Sequence, residues 1–454
     1  MIRTWGRVGT PGPPGRRPPA AAPVPHPPLL SRVEVRAPAD PLWVARALRG
    51  RPGLAALVSR PAGAPRPGDA RYSFVAADPQ EASSSLVPPG TGRGDAPGWI
   101  GAIPYEALRA LERPAWTRAP DLRPAPMLSE PAWRRYGAVV RIDHATGVVD
   151  VVGDDRARVE RLARHLATAP APAPRPFSLE LRSPEEPEAR HVERVREALR
   201  LIAAGDLYEV NLARRIPVVF QGDALELFAS LLEAAPAPWG FFQDLGEVLV
   251  IAASPELALS VRGDTLRTSP IKGTRPRGRD AGEDARLARE LDADAKERAE
   301  LTMAVDVHRS DLGRVAVPGS VRVLGEPRVL PGRTVWSRVA EVVAVRRPEA
   351  SLEDVARAVL PCGSVTGAPK VRAMEVIARL ESARRGLYTG CFGHAGAPDL
   401  ELAMAIRTLQ LRAATGEGDY FAGGGIVADS DPARELEETR WKALQLTRCA
   451  NSGP

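Results

Sequence analysis

Cysteine is nearly missing. Cys362, Cys391 and Cys449 are the only three in 454 residues, odd in number and widely spaced, which excludes a disulfide framework and a thiolate-built zinc site. The six histidines, His26, His144, His165, His191, His308 and His394, contain no HxxxH or HxH pair, so any metal should be held by oxygen. Aromatic residues make up 5%, and none interleaves with a basic cluster as a base-stacking platform requires. No segment approaches eighteen consecutive apolar residues, and the first thirty lack the apolar stretch of a secretory signal; the expectation is a cytoplasmic protein without membrane contact. Neither GxxxxGKS/T nor GxGxxG occurs, so a nucleotide is not indicated. A Gly-x-Cys-x-Gly nucleophile turn of the glutaminase kind is absent too.

What is present is a 44% apolar chain, long enough for two domains or one large interwoven one. The net charge of +6 comes from 62 basic residues mixed with 56 acidic ones, a pattern that does not favour nucleic acid as a partner. Residues 1–30 are too rich in proline to sustain helix or sheet and read as a disordered lead-in. From 31 to 168, short strand-like and helix-like runs alternate with Pro and Gly. "RYSFVAADP" reads as strand and turn, "GWIGAIPYEAL" as the entry to a helix, and "GAVVRIDHATGVVDVVG" as a hairpin. A Pro-Ala linker is expected over 169–188, before an amphipathic helix that stops near Gly205 and a second region over 189–450. The strands of that region are mostly hairpin-connected, which predicts an α+β fold of large antiparallel sheets packed together with helices on the outside.

Two helical segments carry carboxylates three apart, Glu297 with Glu300 and Glu435 with Glu438. That spacing puts each pair on one helix face, and two such faces meeting would suit Mg2+ with water completing its octahedron; solvated helix faces produce the same pattern. Glycine-rich turns at 363–370 ("GSVTGAPK") and 422–431 ("AGGGIVADSD") offer amides to a carboxylate or phosphate. "SPIKGTRPRG" sets Lys272 beside Gly273 and Thr274, either as a basic surface loop or as a lysine that holds or attacks an anion.

Taken in order, "GDLYEVN" (205–211), "SPE" (254–256), "PIKGTRPRG" (270–278), "KERAE" (296–300), "DVHRSDLGRV" (306–315), "GSVTGAPKVRAMEVI" (363–377), "RRGLYTGCFG" (384–393), "AIRT" (405–408) and "GGGIVADSDP…EET" (423–439) resemble the chorismate-binding enzymes. The resemblance is specific over about 250 residues and looser before them. Within the family, the lysine of "PIKGT" is similar to that of the aminodeoxychorismate synthases, where anthranilate, isochorismate and salicylate enzymes carry a small residue. The implied activity is amination of chorismate to 4-amino-4-deoxychorismate for p-aminobenzoate and folate synthesis, with Lys272 as covalent nucleophile. A nucleophilic amine should have a lowered pKa.

By the same resemblance Glu256 matches the acid that protonates the departing hydroxyl. Glu300 and Glu438 match direct Mg2+ ligands, and Glu297 and Glu435 match carboxylates holding the metal's waters. Gly273, Thr274, Thr366 and Lys442 match groups around the ring carboxylate or metal. Tyr388, Arg407, Gly423, Gly424 and Gly425 match the clamp on the enolpyruvyl carboxylate. Read by themselves, Thr366 also suits a helix N-cap, Lys370 a helix-surface charge and Tyr388 the core. The family's nitrogen source is ammonia from a separate glutamine amidotransferase subunit. Where the family carries a histidine this chain has Ser337, and Ser310, Cys362 and His394 also depart from its blocks. Glu209 replaces the family's glutamine or lysine, which argues against an activated water. Ser337 leaves three readings open: a slower enzyme, a specialised branch, or a non-catalytic relative that binds or regulates.

Overall fold

Ala55–Ser59 is a strand in which every residue is buried, and its side chains alternate between two separate apolar clusters: Ala56 and Val58 face one, Ala55 and Leu57 the other. A strand covered on both faces belongs inside a layered structure, and the computed structural model of the chain is built that way. It describes residues 30–450 apart from 61–63, 67–68, 91, 94–95, 112–120, 184–185 and 397–398, so all but the last residue of the expected 1–30 lead-in lies outside the described residues.

Among the described residues the larger sheet has twelve strands, all paired antiparallel. It runs from Ser31–Glu34 through Val148–Gly153, Val139–Asp143, Tyr72–Ala76 and Ala55–Ser59 to Trp239–Asp244. It continues through Val248–Ser254, Thr408–Arg412, Glu417–Ile426 and Glu209–Gly222 to Phe177–Leu181, and the two-residue strand Gly367–Ala368 pairs with the start of Glu209–Gly222 as the twelfth. A nine-stranded sheet faces it, and Phe241 of the first stacks on Phe392 of the second with ring centroids 4.8 Å apart. Helices Pro41–Ala47, Arg156–Thr168, Ala224–Ala234 and Pro432–Ala450 cover the outer face of the larger sheet; Ala295–Gly313 and Leu352–Val359 pack on the other. The α+β arrangement of large antiparallel sheets with external helices is thus the observed one.

Both sheets are shared between the two regions read from the sequence. Ala55–Ser59 pairs with Trp239–Asp244, and Trp99–Ile103 pairs with Cys391–Gly396. The 169–188 segment, expected as a linker, carries the edge strand Phe177–Leu181, whose Leu179 enters the core. "GWIGAIPYEAL" forms a strand, Trp99–Ile103, before its helix, Tyr105–Leu111. The hairpin over 139–153 turns at Gly147, at φ +73°, and Gly205, at φ +79°, follows the helix Glu188–Ala203.

One buried cation ties these layers together. Arg385 is 1% exposed, and all five of its N–H groups find acceptors. Its fork is bidentate to Glu381, at 2.9 Å and 2.7 Å. The remaining donors reach Val365 O, Thr389 Oγ1 and Asn211 O. Glu381 Oε1 also accepts from Ala213 N at 2.8 Å, and the guanidinium lies over the rings of Tyr105 and Tyr388. Replacing Arg385 with Met strands the Glu381 carboxylate in the interior. Arg385→Met is expected to lose about 3–5 kcal/mol of unfolding free energy by chemical denaturation; a loss below about 1 kcal/mol would show that the pair is not a structural anchor.

Candidate active site

Two strands fix the floor of the site. Glu209–Gly222 and Glu417–Ile426 pair antiparallel over ten residues, with Asn211 opposite Gly425 and Leu212 opposite Gly424. The register sets the glycine run against the start of the 209–222 strand, and the missing side chains are what other groups occupy. A Cβ on Gly425 would lie 2.3 Å from Glu209 Oε1 and 3.1 Å from Lys272 Nζ, and one on Gly424 would lie 3.1 Å from Glu435 Oε2. Gly273, at φ +83°, is the equivalent on the other side, where a Cβ would lie 2.8 Å from Glu297 Oε2.

Lys272 stands on the short strand Ile271–Pro276, with its side chain 10% exposed. Its Nζ meets Glu209 Oε1 at 2.5 Å. Burial pulls its pKa down, but Glu209, Glu300 and Glu256 outweigh burial and the net shift is upward. This corrects the lowered pKa expected of a nucleophile: the surrounding charges are carboxylates, and they hold the resting amine as an ammonium.

Glu256 sits in the turn between Val248–Ser254 and Leu257–Arg262, fully enclosed, and accepts a hydrogen bond from Ser364 Oγ at 2.7 Å. Burial raises its pKa to about 7, against the opposing pull of Ser364 and Lys272. It is therefore a carboxyl that is protonated near neutrality within the field of a lysine. Ser364 belongs to the one-turn helix Gly363–Thr366, which also holds Thr366, whose buried Oγ1 has no hydrogen-bond partner. Thr366 ends this helix, so it is not an N-cap. Lys370 is no surface charge: it pairs with Asp311 at 2.9 Å and donates to Ala358 O and Val359 O.

The acidic helices are phased by aspartate caps. Asp294 accepts from the amides of Lys296 and Glu297, and Asp431 from those of Ala433 and Arg434, so the turns bearing Glu297, Glu300, Glu435 and Glu438 start at fixed points. Burial raises the pKa of Glu300 and of Glu435, and Glu435 Oε2 is buried without a hydrogen-bond partner. Burial pushes the Glu438 carboxyl up, but Lys442, 2.6 Å away, together with Lys272 and Lys296 shifts it down on balance. Lys442 Nζ also donates to Gly423 O at 2.7 Å. Lys296 lies 3.6 Å from Glu300, and Arg275 lies 3.3 Å from Glu297. Among the described residues no three acidic, histidine or cysteine side chains converge as a metal cage. The donor set still suits a hard divalent cation: oxygen only, anionic, partly desolvated, with one orphaned carboxylate oxygen.

Tyr388 is buried and stacks on Phe421 with centroids 5.3 Å apart. Arg407 adopts φ +51°, and burial lowers its pKa; among the described residues no carboxylate pairs with it. A half-enclosed guanidinium without a counter-charge suits an incoming carboxylate. Thr274 pairs across strands with Ser337, which places the serine hydroxyl's strand directly beside the lysine strand. His394 lies elsewhere, inside the nine-stranded sheet, edge-on to Phe74 and across from Glu401. Sequence reasoning missed Ser364 and His308. His308 is buried on Ala295–Gly313, both ring nitrogens lack partners, and burial with the nearby charges of Lys370 and Lys272 lowers its pKa to about 3, so it is neutral. Its four-residue spacing from Ala304 on the buried face was the available signal.

The chain is similar to known proteins in both sequence and fold. The family profile described as chorismate binding enzyme matches residues 68–448. The chain is 40% identical over 374 residues to anthranilate synthase component 1 of Streptomyces coelicolor, covering 77% of this chain and 72% of that one. It is 36% identical over 343 residues to aminodeoxychorismate synthase component 1 of Klebsiella aerogenes, covering 75% and 74%. The crystal structure of anthranilate synthase component I from Streptococcus pneumoniae TIGR4 superposes with a TM-score of 0.70 at 27% identity, over 83% of this chain and 92% of that one.

The clash at Gly425 is with the far ends of two side chains and not with backbone. Gly425→Ala is therefore expected to keep its cooperative thermal transition while losing at least about tenfold in chorismate turnover. Unchanged turnover in a folded variant would show that the Glu209–Lys272 contact is not part of the working site.

Proposed function

The chain belongs to the chorismate binding enzymes, and we propose that within them it aminates chorismate at C4, giving 4-amino-4-deoxychorismate for p-aminobenzoate and folate synthesis. The observation that carries this reading is a buried primary amine, Lys272 Nζ, in the same enclosure as a carboxyl, Glu256, that burial keeps protonated near neutrality. The reaction replaces a hydroxyl by nitrogen at one carbon, and a lysine nucleophile splits that displacement into two. Nζ adds at ring C2 while the C4–O bond breaks and Glu256 hands its proton to the departing oxygen. Ammonia then adds at C4, the C2–Nζ bond breaks, and the lysine is released.

Arg407, Tyr388 and the amides of Gly423, Gly424 and Gly425 bind the enolpyruvyl carboxylate in this reading; Gly273, Thr274, Thr366 and Lys442 surround the ring carboxylate. Glu300 and Glu438 would hold Mg2+ directly, with Glu297 and Glu435 through water, and the bound ion supplies positive charge against the ring carboxylate. Ammonia comes from a separate glutamine amidotransferase subunit, since the sequence carries no glutaminase nucleophile turn.

A second reading, anthranilate synthase component I, is favoured by the names of relatives such as the Streptomyces coelicolor protein. The two differ in product. Incubation of the purified chain with chorismate, Mg2+ and excess ammonium salt, with products identified by mass, is expected to give aminodeoxychorismate; anthranilate would overturn the first reading in favour of the second. Intact chorismate, in this assay and again with a glutaminase subunit added, would mark a non-catalytic relative. Lys272→Ala is expected to abolish aminodeoxychorismate formation without loss of fold. Glu256 acts here as an acid, so kcat should decline about tenfold per pH unit above about 7. A kcat that stays level to pH 9 would remove Glu256 from that role.

A further inference from the structure

Lys272 presents a chemical difficulty for its proposed part. An ammonium has no lone pair, and the carboxylates around this one stabilise its charge. Before Nζ can bond to carbon, a proton has to leave it. Among the described residues, Glu209 Oε1 is the acceptor in hydrogen-bond contact with Nζ, at 2.5 Å. The other groups facing Nζ are otherwise engaged or unsuited. Glu256 is bonded to Ser364 and carries the proton for the leaving hydroxyl, Glu300 and Glu438 lie on the acidic helix faces, and His308 is neutral and already shifted far from proton uptake.

We propose that Glu209 is the proton acceptor of Lys272: Oε1 takes one proton from Nζ as the amine adds to the ring, and gives it back when the lysine is expelled. This rests on the covalent lysine reading above. The fold has made room for the arrangement, since the Glu209 carboxylate occupies the volume that a side chain at residue 425 would take. The Glu209 and Lys272 side chains are 3% and 10% exposed. In so dry an enclosure, transfer turns two buried charges into two neutral groups, which lowers the desolvation burden instead of adding to it. The balance closes. Nζ–H+ and the carboxylate become an amine and a carboxylic acid; the amine forms the C2–N bond as the C4–O electron pair leaves with the Glu256 proton as water. Ammonia forms the C4–N bond as the C2–N pair returns to Nζ; Glu209 then reprotonates the lysine, and the new C4 ammonium returns one proton to the Glu256 carboxylate.

The opposite role, a clamp that merely keeps Lys272 charged, leads to the opposite result on removal of the carboxylate. The test is rapid mixing of the full chain with chorismate and Mg2+ in the absence of ammonium, followed by acid quench and intact-protein mass measurement. The adduct on Lys272 adds the mass of chorismate less one water, and Lys272→Ala serves as the blank. Glu209→Gln is expected to form adduct at least about 100-fold more slowly than wild type at pH 6. The ratio of variant to wild-type rate should then climb by up to about tenfold per pH unit as the lysine sheds its proton to solvent instead. Chorismate affinity, followed by intrinsic tryptophan fluorescence, should change by less than about threefold. An adduct rate in Glu209→Gln at or above wild type at pH 6 overturns the proposal in favour of the clamp. A loss that does not recover with pH, or that tracks weakened binding, overturns it in favour of a structural role. A wild type that forms no adduct overturns the lysine reading and this inference with it, whereas a wild-type adduct with an undiminished variant rate overturns this inference alone.

Discussion

The geometry described above depends on one buried guanidinium. Arg385 joins three pieces of the chain: the 209–222 strand through Asn211 O, the one-turn helix through Val365 O, and its own following loop through the Thr389 hydroxyl. Each piece delivers a site residue one or two positions away, namely Glu209, Ser364 and Thr366, and Tyr388. A charge in the interior is tolerable only when fully paired and hydrogen-bonded, and Glu381 with three backbone or hydroxyl acceptors meets that condition. The arginine therefore acts as a rivet whose own cost is offset only when all three pieces are in register. That is a means of obtaining positional precision from loops and strand ends, which otherwise hold side chains loosely.

Around that rivet the site separates two kinds of carboxyl. Glu256 is enclosed, bonded to one hydroxyl, and kept protonated near neutrality by burial. Glu300, Glu435 and Glu438 are held on two capped helices where ammonium groups from Lys296 and Lys442 stand among them. The same side-chain chemistry thus sits enclosed beside a hydroxyl in one place and among ammonium groups in the other, and the difference comes from environment alone. Arg407 carries a positive charge that no carboxylate among the described residues pairs with, which leaves it free to meet an incoming anion.

How much of this could be read from the chain itself differs by element. The helix stopped near Gly205 and the hairpin turning at Gly147 were legible because periodicity and a residue that needs positive φ coincide there. The strand Trp99–Ile103 was less so, because a short run of five buried residues shows neither period, and the edge strand Phe177–Leu181 was hidden by flanking prolines. The acidic pairs and the lysine were visible as residue types, but their mutual placement was not. The raised pKa of Lys272 depends on Glu209, sixty-three positions away, which local spacing cannot reveal. Ser364 went unnoticed for the same reason, since its bond to Glu256 is a property of packing; the helical spacing of His308 from Ala304 marks it as buried but not as a neighbour of Lys272.

The sharing of each sheet between distant parts of the chain has a bearing on biogenesis. Ala55–Ser59 pairs on one edge with the nearby Tyr72–Ala76 and on the other with the distant Trp239–Asp244, and Trp99–Ile103 likewise with Ala132–Arg135 and with Cys391–Gly396. A ribosome emitting this chain thus releases open strand edges long before the residues that close them, and pairings of such sequence separation are slow to form. Each of these apolar strands therefore keeps one edge unpaired until its distant partner is made, and an open edge is a template for wrong pairing, so the rate at which Trp239–Asp244 and Cys391–Gly396 emerge bears on the yield of folded chain.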